Sequence, residues 1–307
     1  MTALPVVWVT EPIHEQALLQ LSQQAKVVGP GPLPVEYKAQ VQAIIVRAAS
    51  LPATVLAELP ALQVVGKHGA GVDNIATDFL AQHKIPLLTA AGFNADSVAD
   101  LTVALALMLL RAPDVHDQHL RAAETAPLIH GYVGGIELAQ LSIGIVGMGA
   151  IGQAVAQRFA AGFGARVAGF DPFLPESRWP LGLARHSSLQ ELLTQSNLVC
   201  LHLPLSESTR LLIGAQELQW IPRGGFLVNC SRGGVVDEFA LAKALSSGHL
   251  AGAASDVFAT EPPDTQHPLF SAGRFIATPH IGGATEAALF KTGSHIVNEV
   301  LAVLTAP

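Results

Sequence analysis

The chain has 307 residues, of which 50% are hydrophobic and 13% are charged, a composition typical of a well-packed globular protein rather than a disordered one. Its net charge of −7 gives no general footprint for nucleic acid. Its only cysteines, Cys200 and Cys230, imply no disulfide framework, which fits a reducing cytosol. The length exceeds that of most single hydrophobic cores, so we expect two domains.

The N-terminal sequence MTALPVVWVTEP has no basic region and enters a strand-like pattern directly, so we expect no signal peptide. The longest apolar run, Leu101 to Leu110, is too short to cross a bilayer and suits a buried helix. We therefore expect a cytoplasmic protein with no membrane and no nucleic-acid partner.

Short apolar segments alternate with helical patterns along the chain, which favours an α/β fold with parallel sheets covered by helices. Strands are predicted at 5–9, 42–46, 63–65, 142–146, 166–170, 198–201, 225–228 and 251–255. Helices are predicted between them at 11–22, 52–59, 149–161, 188–194 and 238–246.

Two places have the pattern of domain crossings. At the first, Asp96 and Ser97 are predicted to cap a long apolar helix that ends at Arg111, with Asp100 three residues after Ser97 as in a capping box. At the second, the sequence PHIGG precedes a final helix predicted at 285–304. Two crossings make one domain discontinuous. We therefore predict a substrate-binding domain, residues 1–97 with 284–307, and a nucleotide-binding domain, residues 98–283.

A glycine-rich turn follows the strand at 142–146. In this G-x-G-x-x-G pattern, Gly147 permits a tight turn, Gly149 lets the backbone approach a pyrophosphate, and Gly152 allows close packing of helix on strand. Ala150 and Ile151 lie at the start of the following helix, whose N-terminal N–H groups favour phosphate. The pattern predicts a dinucleotide-binding βαβ unit.

Asp171 ends the next predicted strand, 19 residues after Gly152 (171 − 152). An acidic residue at this place accepts hydrogen bonds from the ribose 2′-hydroxyl and repels a 2′-phosphate, which favours NAD over NADP. We see no packing role for a carboxylate there, and this strengthens the interpretation as a cofactor ligand.

Polar side chains follow three later strand-like segments, at the edge where open α/β sheets bind ligands. They are Arg232, the acidic pair Asp256 and Glu261, and His280. An arginine can bind a carboxylate with two parallel hydrogen bonds. A histidine can give a proton to a carbonyl oxygen that receives hydride, and a neighbouring carboxylate can orient it. The set suits reduction of a 2-oxo acid.

Six segments in this order resemble the D-isomer-specific 2-hydroxyacid dehydrogenases, and the resemblance covers about residues 40–300. The segments are KHGAGVDNI, GFNADSVAD, GMGAIG with its downstream aspartate, NCSRGG, DVFATEPP and TPHIGG. The resemblance implies two Rossmann-like domains with a cleft between them and an oxidoreductase that uses NAD. Ala150 departs from the polar or basic residue of many relatives, so one side-chain contact to the pyrophosphate is expected to be missing.

The resemblance also implies roles for single residues. Arg232 would bind the substrate carboxylate and carbonyl, His280 would be the acid/base, and Glu261 would be its partner. Asp256 would lie near the nicotinamide. Further contacts to the cofactor are expected from His202, Leu203, Pro204, Thr209, Cys230, Ser231, His280 and Gly282. Contacts to the substrate are expected from Ala70, Gly71 and Asn94. No metal site is expected.

The family usually forms homodimers through the nucleotide-binding domains, and the segment 112–137 would take part. Because the printed chain ends 27 residues after His280 (307 − 280), we expect no C-terminal regulatory domain.

The substrate itself stays open among hydroxypyruvate, glyoxylate, phosphohydroxypyruvate, pyruvate and sulfopyruvate. Arg47 and Lys67 could together receive a second anionic group, or both could be ordinary surface charges. A different class of function also stays open, since the NAD(H)-sensing corepressors that resemble this family keep a similar set of residues. A metabolic dehydrogenase is the favoured interpretation because the chain is compact from end to end.

Overall fold

The computed structural model describes residues 4–122 and 135–305. Contacts within the chain divide it into two units. The first, here called the split unit, contains Met1–Asn94 and Gly283–Pro307, and the second, the central unit, contains Ala95–Gly282. These boundaries differ by one to three residues from those predicted from the sequence.

The split unit is built on a five-stranded parallel sheet with the strand order β2-β1-β3-β4-β5. Its strands are β1 (Val6–Val9), β2 (Lys26–Val28), β3 (Val41–Val46), β4 (Val64–Lys67) and β5 (Leu87–Thr89). Its helices are α1 (Glu15–Ser22), α2 (Ala53–Leu56), α3 (Thr77–Gln82) and, from the C-terminal segment, α10 (Glu286–Thr305). The three inner strands are mostly apolar and largely buried, as expected where helices cover both faces of a sheet.

The C-terminal helix α10 belongs to the core of the split unit. Its buried residues Ile296, Val297 and Val300 pack with side chains of β1, β3 and β4. A Cβ on Gly66 of β4 would lie 2.6 Å from the side chain of Val300, so this glycine permits the close approach of the helix.

The central unit is built on a seven-stranded parallel sheet with the order β12-β11-β10-β9-β6-β7-β8. Its strands are β6 (Ser142–Val146), β7 (Arg166–Phe170), β8 (Ala184–Arg185), β9 (Leu198–Leu201), β10 (Gly225–Asn229), β11 (Leu250–Ser255) and β12 (Phe275–Ala277). Its described helices are α4 (Ala95–Arg111), α5 (Pro113–Arg121), α6 (Ala150–Gln157), α7 (Leu189–Thr194), α8 (Ala215–Trp220) and α9 (Glu238–Ser246). The strand order reverses between β6 and β9, which is where a doubly wound sheet binds its ligand.

The observed elements confirm the predicted α/β class with parallel sheets, and β6, β7 and β9 have the predicted bounds. The prediction missed β2, β5, β8 and β12, which have only two or three residues each and therefore carry little periodic signal. It also missed the short helices α3, α5 and α8.

The predicted cap of α4 is wrong. The helix begins at Ala95, so Asp96 and Ser97 lie within its first turn. The buried Oγ of Ser97 donates to the carbonyl oxygen of Gly282 at 2.6 Å, and Asp100 pairs with Arg158 at 2.7 Å instead of completing a capping box. Ser97 and Asp100 thus bond to residues far along the chain instead of to the first N–H groups of the helix.

Of the predicted dimer segment 112–137, residues 123–134 lie outside the described residues. Within 4–122 and 135–305, no helix is both long enough and apolar enough to span a membrane.

Candidate active site

The glycine-rich turn joins β6 to α6 in the central unit, at the reversal of strand order. Gly147 has φ +91°, and a Cβ there would lie 2.4 Å from the carbonyl oxygen of His202. A Cβ on Gly152 would lie 2.0 Å from the carbonyl oxygen of Gly147. A Cβ on Gly149, in contrast, would meet no atom within 4 Å. The first and third glycines are thus required by packing, and the second leaves open space beside the N-terminus of α6, which fits a dinucleotide pyrophosphate.

Asp171 follows β7 and has a structural role, contrary to the expectation that a carboxylate there has no packing purpose. Its Oδ2 accepts the N–H of Met148 in the glycine turn at 2.9 Å. Its Oδ1 accepts the N–H groups of Phe173 and Leu174 at 2.9 and 3.0 Å. A carboxylate has about four acceptor positions, so three are used within the protein and one is left for a ribose hydroxyl.

The loop after β9 carries the residues expected on the adenine side of the cofactor. Thr209 closes this loop, because its Oγ1 donates to the carbonyl oxygen of Pro204 at 2.6 Å and accepts the N–H of Ser206 at 2.8 Å. Both ring nitrogens of His202 are buried without a hydrogen-bond partner among the described residues. Burial lowers the pKa of His202 from 6.5 to about 3, so this imidazole is neutral at pH 7.

The turn after β10 places Arg232. Asn229 organises this turn, since its Oδ1 accepts the Oγ–H of Ser231 at 2.6 Å and the N–H of the same residue at 3.0 Å. The guanidinium of Arg232 donates to the carbonyl oxygen of Ser231 at 2.8 Å. The side chain of Cys230 is buried, which raises the pKa of its thiol to about 12, so a contact of Cys230 with a cofactor would come from its backbone.

His280 and Glu261 form a pair in the central unit. The Nδ1 of His280 lies 2.8 Å from the Oε2 of Glu261, and the two side chains are 47% and 38% exposed. The other oxygen of Glu261 accepts the N–H of Phe258 at 3.0 Å. Burial opposes ionisation of Glu261, but the hydrogen bonds from His280 and Phe258, with the charges of His280 and Arg232, outweigh it and lower the pKa of this carboxyl.

These contacts assign the tautomer of His280. An ionised carboxylate only accepts hydrogen bonds, so the Nδ1 of His280 carries a hydrogen towards Glu261. Nε2 is then the ring nitrogen that can exchange a proton with a reacting oxygen. The charge of Arg232 acts on Glu261, so a cation for a carboxylate lies near the pair. This arrangement can bind an anionic substrate and move one proton.

Asp256 holds the turn that carries His280. Asp256 is only 2% exposed. Its carboxylate accepts hydrogen bonds from the Oγ1 of Thr278 at 2.7 Å and from the N–H groups of Ile281 and Gly282 at 2.8 Å each. His280 has the left-handed backbone conformation, with φ +53°, which costs a non-glycine residue energy unless its surroundings impose it. The family resemblance predicts Asp256 near the nicotinamide, and no sequence pattern indicates that it holds this turn.

Gly233 has a packing role that its place in the sequence does not indicate. A Cβ on Gly233 would lie 1.8 Å from the carbonyl oxygen of Phe258 and 2.5 Å from the backbone nitrogen of Ala259. The turn that carries Arg232 therefore packs directly against the segment that leads to Glu261. The pattern NCSRGG signals a turn, but it does not identify the neighbour that requires the glycine.

In the split unit, the structure changes the interpretation of Lys67. This residue ends β4 and is buried, with 6% exposure. Its ammonium donates to the carbonyl oxygen of Arg47 at 2.5 Å and to the Oδ1 of Asn74 at 2.7 Å. Lys67 is thus neither an ordinary surface charge nor an uncommitted cation, and its ammonium holds the loop that carries Arg47.

Glu11 holds the same loop from the other side. Its carboxylate accepts the N–H groups of Arg47 at 3.0 Å, Ala48 at 2.6 Å and Ala49. Burial opposes ionisation of Glu11, but the hydrogen bonds from Thr10 and from these three N–H groups lower its pKa. Three successive backbone N–H groups of this loop therefore bind the carboxylate of Glu11, a group of the chain itself.

The other expected substrate contacts of the split unit lie in loops. Ala70 is exposed and Gly71 half-buried, just after the carboxyl end of β4. Within the described part of the chain, neither N–H group donates to a backbone carbonyl. Asn94 is half-buried, and a Cβ on Gly283 would lie 2.9 Å from its Nδ2.

Residues 103–282 match the D-isomer specific 2-hydroxyacid dehydrogenase family, NAD binding domain. The chain is 33% identical to D-3-phosphoglycerate dehydrogenase of Methanocaldococcus jannaschii over 96% of this chain and 57% of that protein. It is 34% identical to hydroxypyruvate reductase of Thermotoga maritima over 85% of this chain and 84% of that protein. The crystal structure of TT0316 protein from Thermus thermophilus superposes with a TM-score of 0.89 at 32% identity, covering 97% of this chain and 96% of the other.

The chain spans about half the length of the curated relatives it matches first, with 57%, 46% and 56% of their residues. The match to the NAD binding domain covers the glycine turn and Asp171, whose geometry fits a dinucleotide, so NAD is the cofactor. The family match extends over more than half of the chain, and the relatives align along nearly all of it. The chain therefore belongs to the D-isomer specific 2-hydroxyacid dehydrogenase family.

Proposed function

We propose that the chain is an NAD-dependent dehydrogenase that interconverts a small 2-oxo acid and the corresponding 2-hydroxy acid. The observation that carries this proposal is the pair of His280 and Glu261, with Nδ1 and Oε2 2.8 Å apart and the cation of Arg232 acting on the same carboxylate. The names of the two relatives, a D-3-phosphoglycerate dehydrogenase and a hydroxypyruvate reductase, support an activity on acids of this class.

The nicotinamide, when bound, supplies or accepts the hydride at the substrate carbon. Arg232 binds the carboxylate and keeps the carbonyl oriented. In reduction, the Nε2–H of protonated His280 donates its proton to the carbonyl oxygen, which becomes the hydroxyl. Glu261 holds the ring through Nδ1 and stabilises its charged form until the proton has left. In oxidation, neutral His280 takes the hydroxyl proton back.

The first test measures the loss of NADH absorbance with hydroxypyruvate, glyoxylate, phosphohydroxypyruvate, pyruvate and sulfopyruvate, each repeated with NADPH. We expect turnover with at least one acid and a preference for NADH. Tight NADH binding without turnover on any of the five acids would instead favour the NAD-sensing class of protein.

The second test replaces His280 with alanine. We expect kcat to fall by about 10²–10⁴-fold, the usual contribution of a general acid/base, while the Kd for NADH stays near the wild-type value. His186→Ala is the matched control, because His186 also pairs with a glutamate, Glu191 at 3.3 Å, elsewhere in the central unit. Equal losses of turnover in both variants would contradict the assignment.

The roles of Arg47, Ala70, Gly71 and Asn94 towards the substrate stay predictions of the family resemblance, and so do the homodimer and the cytoplasmic location. Size-exclusion chromatography with light scattering tests the dimer.

A further inference from the structure

A second carboxylate–histidine pair lies beside the segment that leads to Glu261. Glu238 is the first residue of α9, and its Oε2 lies 3.0 Å from the Nε2 of His267. Its Oε1 accepts the N–H of Ala259 at 2.7 Å. Both side chains of the pair are only 14% exposed, so water does little to screen these bonds.

The hydrogen bonds of His267 fix its tautomer. Its Nδ1 accepts the N–H of Leu269 at 3.4 Å, so Nε2 carries the hydrogen and donates to Glu238. Glu238 therefore binds the loop that follows β11 at two points, Ala259 near the start of this loop and His267 near its end. The carboxylate anchors both points to the first turn of α9.

The anchored backbone is the same backbone that holds Glu261. The N–H of Ala259 is bound by Glu238, and the preceding N–H, of Phe258, is bound by the Oε1 of Glu261. The ring of Phe258 is buried and lies edge-on to His267, with centroids 6.1 Å apart. On the other side, Gly233 contacts the Phe258 carbonyl so closely that a Cβ would clash. A shift of these two residues would therefore disturb both Glu261 and the turn of Arg232.

We propose that Glu238 and His267 are positioning residues, which fix the backbone of Phe258 and Ala259 so that Glu261 meets His280. The inference rests on the proposed function for its effect on turnover, but not for its effect on Glu261 itself. The side chains of Glu238 and His267 bond to each other and to the backbone of Ala259 and Leu269, so their influence on the reaction passes through this segment.

The test begins with Glu238→Gln, which removes the charged acceptor and places an amide against His267. We expect kcat for the reduction of the 2-oxo acid to fall about 10- to 100-fold, because a misplacement of about 1 Å can cost ~100-fold. His267→Gln keeps an amide donor near the position of Nε2 and is expected to keep most of the activity. His267→Ala is expected to behave like Glu238→Gln.

The second measurement needs no turnover. Carbon-13 NMR of labelled glutamate carboxyls follows the titration of Glu261, and Glu261→Gln identifies its signal. Within the described residues, the charges of His280 and Arg232 lower the pKa of Glu261, and neither residue is changed in these variants. Loss of the Glu238 charge by itself would lower this pKa further, so a rise reports the displaced Phe258 N–H. We expect the pKa of Glu261 to rise in Glu238→Gln, because the Phe258 N–H no longer stays against the ionised carboxylate. The loss of kcat at low pH should therefore begin at a higher pH in this variant than in the wild type.

Glu191→Gln is the matched control, since it breaks a carboxylate–histidine pair on a different helix, α7, and should leave kcat and the Glu261 titration unchanged. An unchanged Glu261 titration in Glu238→Gln overturns the proposal, whatever happens to turnover or to the melting temperature. If the wild type reduces no 2-oxo acid, the proposed function fails, and the titration still decides whether the pair positions Glu261.

Discussion

Replacing Gly233 with alanine is expected to separate the turn that carries Arg232 from the segment that leads to Glu261. The new Cβ would lie 1.8 Å from the carbonyl oxygen of Phe258. The neighbour is backbone, so no side-chain rotation can relieve the contact. Ordinary van der Waals contact begins at 3.4 Å, and one of the two segments must therefore move by 1.6 Å (3.4 − 1.8).

A displacement of this size is large for a catalytic arrangement. Since a misplacement of about 1 Å can cost ~100-fold in rate, we expect kcat/KM for the 2-oxo acid to fall by about 100-fold or more. Overpacking of this kind also lowers the free energy of unfolding by about 1–3 kcal/mol. The glycine turn that fits the cofactor is not part of this contact, but Cys230 and Ser231 lie in the shifted turn, so the Kd for NADH should rise less than kcat/KM falls.

The assay is the initial rate of NADH oxidation over a range of acid concentrations, with NADH affinity from fluorescence and stability from urea unfolding. Gly162→Ala is the matched control, because a Cβ at Gly162 would meet no atom within 4 Å. If Gly233→Ala stays folded and its kcat/KM equals that of Gly162→Ala, the close contact does not govern the placement of Arg232 and Glu261, and the reasoning is refuted.

Three further predictions concern single side chains. Arg47→Ala should raise KM for phosphohydroxypyruvate much more than for glyoxylate if Arg47 binds a second anion, and equal changes would reject that role. Asp171→Ser should lower NADH affinity without a matching gain for NADPH, because it removes the acceptor of the Met148 N–H in the glycine turn; a clean switch to NADPH would contradict this. Because His202 is protonated near pH 6.5 when unfolded but only near pH 3 when folded, stability should fall as pH falls through this window. Urea unfolding at several pH values should show a smaller loss in His202→Leu, and an equal loss would assign the acid sensitivity to other groups.

Local patterns predicted the central unit well where the chain is buried and regular. The strands β6, β7 and β9 match their predicted bounds, because a run of apolar residues between polar ends fits a strand covered on both faces. Helix α9 also matches, since Asp237 accepts the N–H groups of Phe239 and Ala240 as an N-cap. The glycine spacing predicted the cofactor turn, and the ordered motifs predicted the family.

Predictions from local pattern failed where a side chain has a partner far along the chain. Asp96 and Ser97 are good capping residues by type, yet Ser97 bonds to a carbonyl 185 residues away. Lys67 is of a residue type that commonly binds anions, but it is buried and its ammonium binds the loop after β3. Asp171 has no packing role that its place in the sequence reveals, and in fact it binds three backbone N–H groups. Sequence spacing cannot identify such partners.

The family, the α/β class, the cofactor and the three residues proposed for the chemistry could be predicted before the fold was known. These follow from short-range patterns, in which the residue types and their spacing already contain the physical requirement. The way in which Arg232, Glu261 and His280 are held is visible only in the folded chain, where Asp256 lies under the His280 turn, Gly233 packs against Phe258, and Glu238 bonds to His267. Each of these contacts joins segments that are remote in sequence, and its energy depends on distances that only the folded chain sets.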